Sequence, residues 1–276
     1  MSDTVLKVSD LTVQYPTARG SFFATRNVNF SLQRGERFGL VGESGSGKST
    51  TILALMRMLK GGLVSSGRLE LNGRELTTLD DEAYRQLRFA DMSLVPQGAM
   101  NSLNPVMRVG AQIADIYDDH GVHHGRSERD RIIGELLSRV GLPPEVQWRY
   151  PHELSGGMKQ RVCIAMSIAL KPSLILADEP TSALDVMVQK QVLSTLGRVQ
   201  RDIGAAIILI GHDMALMAHF VTTLGVMDRG ELIEVGPVHE IFANPRHDYT
   251  RMLIHSLPSF DRQARFPRTG TQEAAN

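Results

Sequence analysis

Two short stretches of this sequence hold residue types at the spacing that phosphate chemistry needs. Gly42-Glu43-Ser44-Gly45-Ser46-Gly47-Lys48-Ser49 fits the pattern G-x-x-x-x-G-K-[ST]. Its glycines let consecutive backbone N–H groups curl around a phosphate, and a helix N-terminus behind them adds favourable partial charge. Lys48 brings a positive charge to the phosphate oxygens, and the Ser49 hydroxyl is a ligand for Mg²⁺. The binding candidates here are Gly42, Ser44, Gly45, Gly47, Lys48, Ser49 and Thr50. The second stretch, Ser173-Leu174-Ile175-Leu176-Ala177-Asp178-Glu179, is an apolar run ending in two acids. Neighbours on a strand point to opposite sides, so the two acids are expected to do different jobs. Asp178 is the candidate metal ligand, directly or through water, and Glu179 the group that orients and polarises an attacking water. An isolated Asp-Glu pair would read as a solvated helix start; beside the glycine loop it reads as chemistry.

These residues need a frame of strands and helices. The spacing predicts strands at 5–15, 28–32, 37–41, 69–71 and 91–96, with a helix over 49–59 directly after the glycine loop. From Gly98 to Pro172 the pattern turns helical, over 109–117, 128–140 and 156–170, with Gly, Pro and His as punctuation. Strand and helix then alternate again: strands at 173–177 and 205–210, helices at 186–203 and 215–220, and two short strands at 223–228 and 231–235. Such alternation implies an α/β fold whose core sheet is mainly parallel, with antiparallel β elements beside it. The helical stretch, about 98–172, reads as a subdomain inserted into a core domain spanning 1–258. Residues 259–276 are polar and read as a flexible tail.

Composition narrows the class. Lys plus Arg equals Asp plus Glu at 30 each, so bulk charge gives no case for nucleic acid or an acidic membrane surface. The single cysteine, Cys163, excludes an intramolecular disulfide and a cysteine-ligated iron–sulfur cluster. It sits in an apolar run and is expected to be a buried structural thiol. The N-terminal residues show no signal-peptide pattern, and no apolar run approaches the roughly 18–20 residues that span a bilayer. A cytoplasmic chain is expected, reaching a membrane only through partners.

Leu154-Ser155-Gly156-Gly157-Met158-Lys159-Gln160-Arg161, lying between the glycine loop and the acidic strand, resembles the signature motif of ATP-binding-cassette (ABC) ATPases. A serine hydroxyl and two glycine amides at a helix start make an anion site. The resemblance runs from about residue 5 to 258 and implies a P-loop NTPase of the ABC cassette type, with ATP and Mg²⁺ as cofactors. It implies that Ser155, Gly156 and Gly157 face the γ-phosphate held by an opposite subunit, and that Tyr15 stacks on adenine. Gln97 matches the Q-loop glutamine that senses Mg²⁺, Ser182-Ala183-Leu184-Asp185 the D-loop that crosses the dimer interface, and His212 the switch histidine near the γ-phosphate. Two positions depart from the pattern: Gly211 stands where the family usually has Ser or Thr, and Gly98 where it has an acid. Neither removes a side chain assigned to chemistry.

Residues 100–107, Met158 and Asn244-Pro245-Arg246-His247-Asp248-Tyr249-Thr250-Arg251 resemble the oligopeptide, dipeptide and nickel importer branch. That branch implies two transmembrane permease subunits, a second ABC ATPase, an extracytoplasmic substrate-binding protein and a station at the cytoplasmic face of the membrane. The ATPase of a carbon–phosphorus lyase complex is the alternative. A nucleic-acid-linked ATPase is disfavoured, because neither a second cassette nor a long coiled coil is present. The histidines at 120, 123 and 124 read as a solvated loop in the insert rather than a metal site.

Overall fold

The computed structural model describes residues 3–18, 20–98, 102–182 and 184–256. The 259–276 tail, Ala183 and the first positions of the 100–107 segment lie outside them.

Two sheets carry the fold. Strands β1 (Thr4–Thr17), β2 (Gly20–Gln33), β4 (Leu63–Leu71) and β5 (Arg74–Glu75) form an antiparallel sheet in the order β2-β1-β4-β5. The second sheet has the order β10-β9-β3-β8-β7-β6, built from β3 (Arg37–Val41), β6 (Met92–Val95), β7 (Leu174–Asp178), β8 (Ala206–Ile210), β9 (Thr223–Asp228) and β10 (Glu231–Pro237). Its ladders are parallel except the β9–β10 pair at one edge.

The apolar strands are continuous runs because both of their faces are covered. Along β7, Leu174 and Leu176 face one core and Ile175 and Ala177 the other; β8 divides Ile208 and Ile210 from Ile207 and Leu209 in the same way. The first core lies between the two sheets, where Phe30 of β2 stacks on Phe38 of β3 at 5.1 Å between ring centroids. Helix α1 (Lys48–Leu55) fills this layer with Ile52 and Leu55. The second core lies under the helices. Between β6 and β7 the chain runs through α3 (Val109–Asp119), α4 (Arg126–Arg139), two 3₁₀ turns and α5 (Gly156–Ser167). Helices α6 (Val186–Ile203) and α7 (Met214–Phe220) complete the layer, and α8 (Val238–Ala243) and α9 (Asp248–His255) close the described chain.

Several elements differ from the sequence expectation. Helix α1 stops at Leu55, four residues short of the expected end, because Arg57 takes a left-handed φ of 51° and Met58 N–H bonds back to Leu53 O. Strands β1 and β2 are longer than their apolar cores, since the hairpin ladder continues through polar residues to Thr17 and Gly20. Helix α2 (Asp81–Leu87) was not anticipated, although Asp80 caps it by accepting the Ala83 N–H at 2.7 Å. Cys163 is buried, and burial pushes its thiol up to about 12.

Candidate functional site

Parallel strands place their C-terminal ends on one side, and the chemistry-bearing residues gather there. The chain leaves β3 into the glycine loop at Gly42, whose φ is 147°. A Cβ at that position would stand 2.1 Å from Met227 O, and one at Gly47 would stand 2.6 Å from Ala24 O. Glycine is therefore required at both points, by left-handed backbone and by close approach of neighbouring strands. The loop is braced from β9 and β10 as well, through Gly230 N–H to Ser46 O at 3.0 Å. It delivers the chain into α1 with Gly47 as an N-cap that has no side-chain bond. The amides of Lys48, Ser49 and Thr50 head that helix without intrahelical acceptors, which is a seat for an anion.

Lys48 curls back over the loop. Its ammonium donates to Gly42 O at 2.8 Å, Glu43 O at 2.7 Å and more distantly Ser46 Oγ at 3.4 Å. The residue is 7% exposed, and burial lowers its pKa against the opposing pull of Glu179 and Asp178. Asp178, the last residue of β7, accepts the Ser49 hydroxyl at 3.0 Å. At 8% exposure its carboxyl pKa is raised, first by burial; the Ser49 bond lowers it, Glu179 raises it and Lys48 lowers it.

Glu179 leaves the strand at a left-handed φ of 42°, with its N–H held by Ile210 O at 3.1 Å. That turn, rather than alternation along the strand, sends the adjacent acids to different neighbours. Gln97 Nε2 donates to Glu179 Oε2 at 2.9 Å, and His212 Nδ1 stands 3.8 Å from Glu179 Oε1. The His212 side chain is 74% exposed, at the open side of the cluster. Thus Lys48, Ser49, Asp178, Glu179, Gln97 and His212 come together from four segments of chain. Tyr15 lies apart on β1, paired with Phe22 and covering Gly62, where a Cβ would be 2.6 Å from its ring.

The other predicted residues form a second group. Ser155 caps α5 by accepting the Met158 N–H at 3.3 Å, and α5 begins at Gly156. Gly157 is packed so closely on α6 that a Cβ would reach Val188 Cγ1 at 2.6 Å. Asp185 caps α6 by accepting N–H groups of Met187 and Val188 at 3.1 and 3.0 Å. Ser155 and Asp185 are exposed, and the contacts of this group run among its own helix starts rather than to the glycine loop, among the described residues. A further neighbour of the loop escapes sequence reasoning: Tyr249 Oη accepts the Glu43 N–H at 3.0 Å from 206 residues away. No local pattern announces such a contact.

The ABC transporter family matches residues 25–182, and the oligopeptide/dipeptide transporter C-terminal region matches residues 233–276. The chain is 40% identical over 94% of its length to the dipeptide transport ATP-binding protein DppD of Lactococcus lactis subsp. cremoris, covering 75% of that protein. It is 41% identical over 93% of its length to the oligopeptide transport ATP-binding protein OppD of Bacillus subtilis, covering 73% of it. It is also 40% identical to the glutathione import ATP-binding protein GsiA of Escherichia coli (strain K12), of which it spans 46%. Among solved structures, the dimeric post-hydrolysis state of the ATP-binding cassette MJ0796 bound to ADP and Pi superposes with a TM-score of 0.75 at 26% identity. That match covers 84% of this chain and 98% of the other.

Proposed function

The chain belongs to the ABC transporter family of ATP-binding, ATP-hydrolysing subunits, and on that premise we propose that it powers the import of peptides or a related small solute. The observation that carries the ATPase chemistry is the meeting of Lys48, Ser49, Asp178 and Glu179 at the ends of β3 and β7.

In this reading the amides from Ser44 to Thr50 cradle the phosphate chain and Lys48 neutralises its β- and γ-oxygens. Ser49, Asp178 and Gln97 offer only oxygen ligands, from a hydroxyl, a carboxylate and an amide, and this donor set fits a hard cation. Those three would hold Mg²⁺, which supplies charge neutralisation on the phosphates when bound. Glu179, held by Gln97, aligns a water and takes its proton as the water oxygen bonds to the γ-phosphorus. The bond from that phosphorus to the bridging oxygen breaks, and ADP leaves with inorganic phosphate. His212, beside Glu179 and open to solvent, stabilises the γ-phosphate, and Tyr15 stacks on the adenine.

The site is shared in this proposal. Ser155, Gly156 and Gly157 of one cassette reach the γ-phosphate bound by another, with Asp185 near the seam. ATP then favours a closed pair and hydrolysis reopens it, a shift of population set by ligand. Closure moves two permease subunits docked between core and helical insert, near residues 97–108, at the cytoplasmic face of the membrane. A substrate-binding protein selects the solute.

Glu179→Gln tests the chemistry: turnover is expected to vanish while ATP binding persists and a closed dimer accumulates on size exclusion. Hydrolysis near the wild-type rate would remove Glu179 from the role given to it. Gentle membrane solubilisation and mass spectrometry test the setting. Co-purification with permeases and a second cassette supports import; recovery with soluble metabolic enzymes and no permease would favour a complex of the carbon–phosphorus lyase type.

A further inference from the structure

We propose that Tyr249 is a positioning residue for the phosphate site, orienting Lys48 through the single peptide plane that joins Gly42 to Glu43. The N–H of that plane is the Glu43 amide, which the Tyr249 hydroxyl accepts at 3.0 Å. Its C=O is Gly42 O, which receives the Lys48 ammonium at 2.8 Å. In a trans peptide these two groups point in opposite directions from one rigid plate. The phenol on one side thereby sets the direction of the acceptor on the other. Gly42 itself places little restriction on the plate, since glycine tolerates many backbone angles. The hydroxyl supplies the missing restraint and occupies the Glu43 amide, leaving the later amides to the phosphates.

The tyrosine is in turn held from β10. Glu234 accepts the N–H groups of Arg246 and His247 at 2.9 and 3.1 Å, pinning the chain just before α9. His247 Nδ1 then caps α9 by accepting the Tyr249 N–H at 3.2 Å. The Tyr249 ring is half-buried against the helical core, and burial raises its pKa, so the group stays a neutral hydroxyl. Glu234, His247 and Tyr249 all fall within the segment that matches the oligopeptide/dipeptide transporter C-terminal region, whereas the loop falls within the cassette match. The C-terminal region thus reaches the phosphate site through the Tyr249 hydroxyl oxygen.

The inference rests on the reading of residues 42–49 as the ATP site, and the test separates the two. Binding of a fluorescent ATP analogue with Mg²⁺ is measured on the intact chain as wild type, Tyr249→Phe, Glu234→Gln and the double variant. Losing one neutral hydrogen bond at the loop is expected to weaken binding roughly 3–10-fold in Tyr249→Phe. KM for ATP rises by the same factor while kcat stays within about twofold. Glu234→Gln weakens binding in the same direction, and the double variant is no weaker than Tyr249→Phe, because both act along one path. Wild-type affinity in Tyr249→Phe, a fall of kcat matching the rise of KM, or additive losses in the double variant would each overturn the inference. Should Tyr249→Phe fail to fold, unchanged affinity in Glu234→Gln overturns it. Failure of the wild type to bind the analogue would instead overturn the ATP reading.

Discussion

The glycine loop and the signature helix, both anion seats in the function proposed above, are helix N-termini finished to different degrees. At the loop, the chain supplies cation, hydroxyl, carboxylates and a glutamine from three segments, and the side chains of Lys48, Ser49 and Gln97 each have a partner within this chain. At Ser155–Gly157 the chain supplies a capped helix start packed on α6 and leaves the serine exposed. A site that binds by itself needs the first kind of construction. A surface that completes another molecule's site needs only the second: a rigid, open helix end with its donors forward. The contrast teaches that one family motif can be preorganised for binding and another for docking.

The sharpest way to break this contrast is Lys48→Ala. Two short charge-assisted bonds fix the ammonium beside the phosphate seat, and each such bond is worth about 1.5–3 kcal/mol. ATP affinity of the isolated chain is expected to fall on the order of 10²-fold or more, read by nucleotide titration. Ser155→Ala in the same titration is expected to stay within about twofold. Equal losses in the two variants would mean that the signature helix binds nucleotide within its own chain, and the contrast would collapse.

Much of this was legible in the sequence because the determinants are local. The glycine pattern, the apolar run before Asp178 and the cap at Ser155 are each contained in a few consecutive residues, and each lies where expected. The family resemblance supplied what spacing alone does not, an expectation that Gln97 serves the Mg²⁺ and His212 the γ-phosphate; in the fold both stand beside Glu179. What stayed hidden depends on long-range closure. Arg57 ends α1 by a left-handed turn that no proline or glycine at that position announces. Helix α2 is short, and its one clear local signal is the Asp80 cap. Tyr249 meets Glu43 only because β10 and α9 fold back over the loop.

A smaller effect separates stability from function at the loop. Burial raises the Asp178 pKa, so the folded state holds a proton more tightly than the unfolded chain does. Stability from this group is greatest at low pH and falls as pH rises through its folded pKa. Asp178→Asn keeps an acceptor for Ser49 and removes the buried charge. Hydrolysis is expected to fall by about 10²-fold, as for loss of one transition-state electrostatic contact. Thermal unfolding of the nucleotide-free chain at neutral pH is expected to shift upward by about 2–4 °C, some 1 kcal/mol. The gain over wild type should shrink as the pH is lowered through the carboxylate range. A variant less stable than wild type at neutral pH would show that the Asp178 charge is compensated in the fold.

The smallest effect tests whether the signature helix start is built only for its own fold. Ser155 accepts one amide, and loss of an N-cap costs about 0.5–2 kcal/mol, so Ser155→Ala should unfold a few degrees earlier than wild type. That alone fits a simple capped helix. Aspartate caps as well as serine does, and a negative charge at a helix N-terminus is favourable, so Ser155→Asp should restore the lost stability. An aspartate facing a partner's γ-phosphate, however, sets like charges against each other. In a Glu179→Gln background, Ser155→Asp is therefore expected to fold as well as wild type and yet fail to form the ATP-dependent dimer, as followed by light scattering. If it dimerises normally, the exposed serine is a cap and nothing more, and the helix end that docks must be sought elsewhere on the surface.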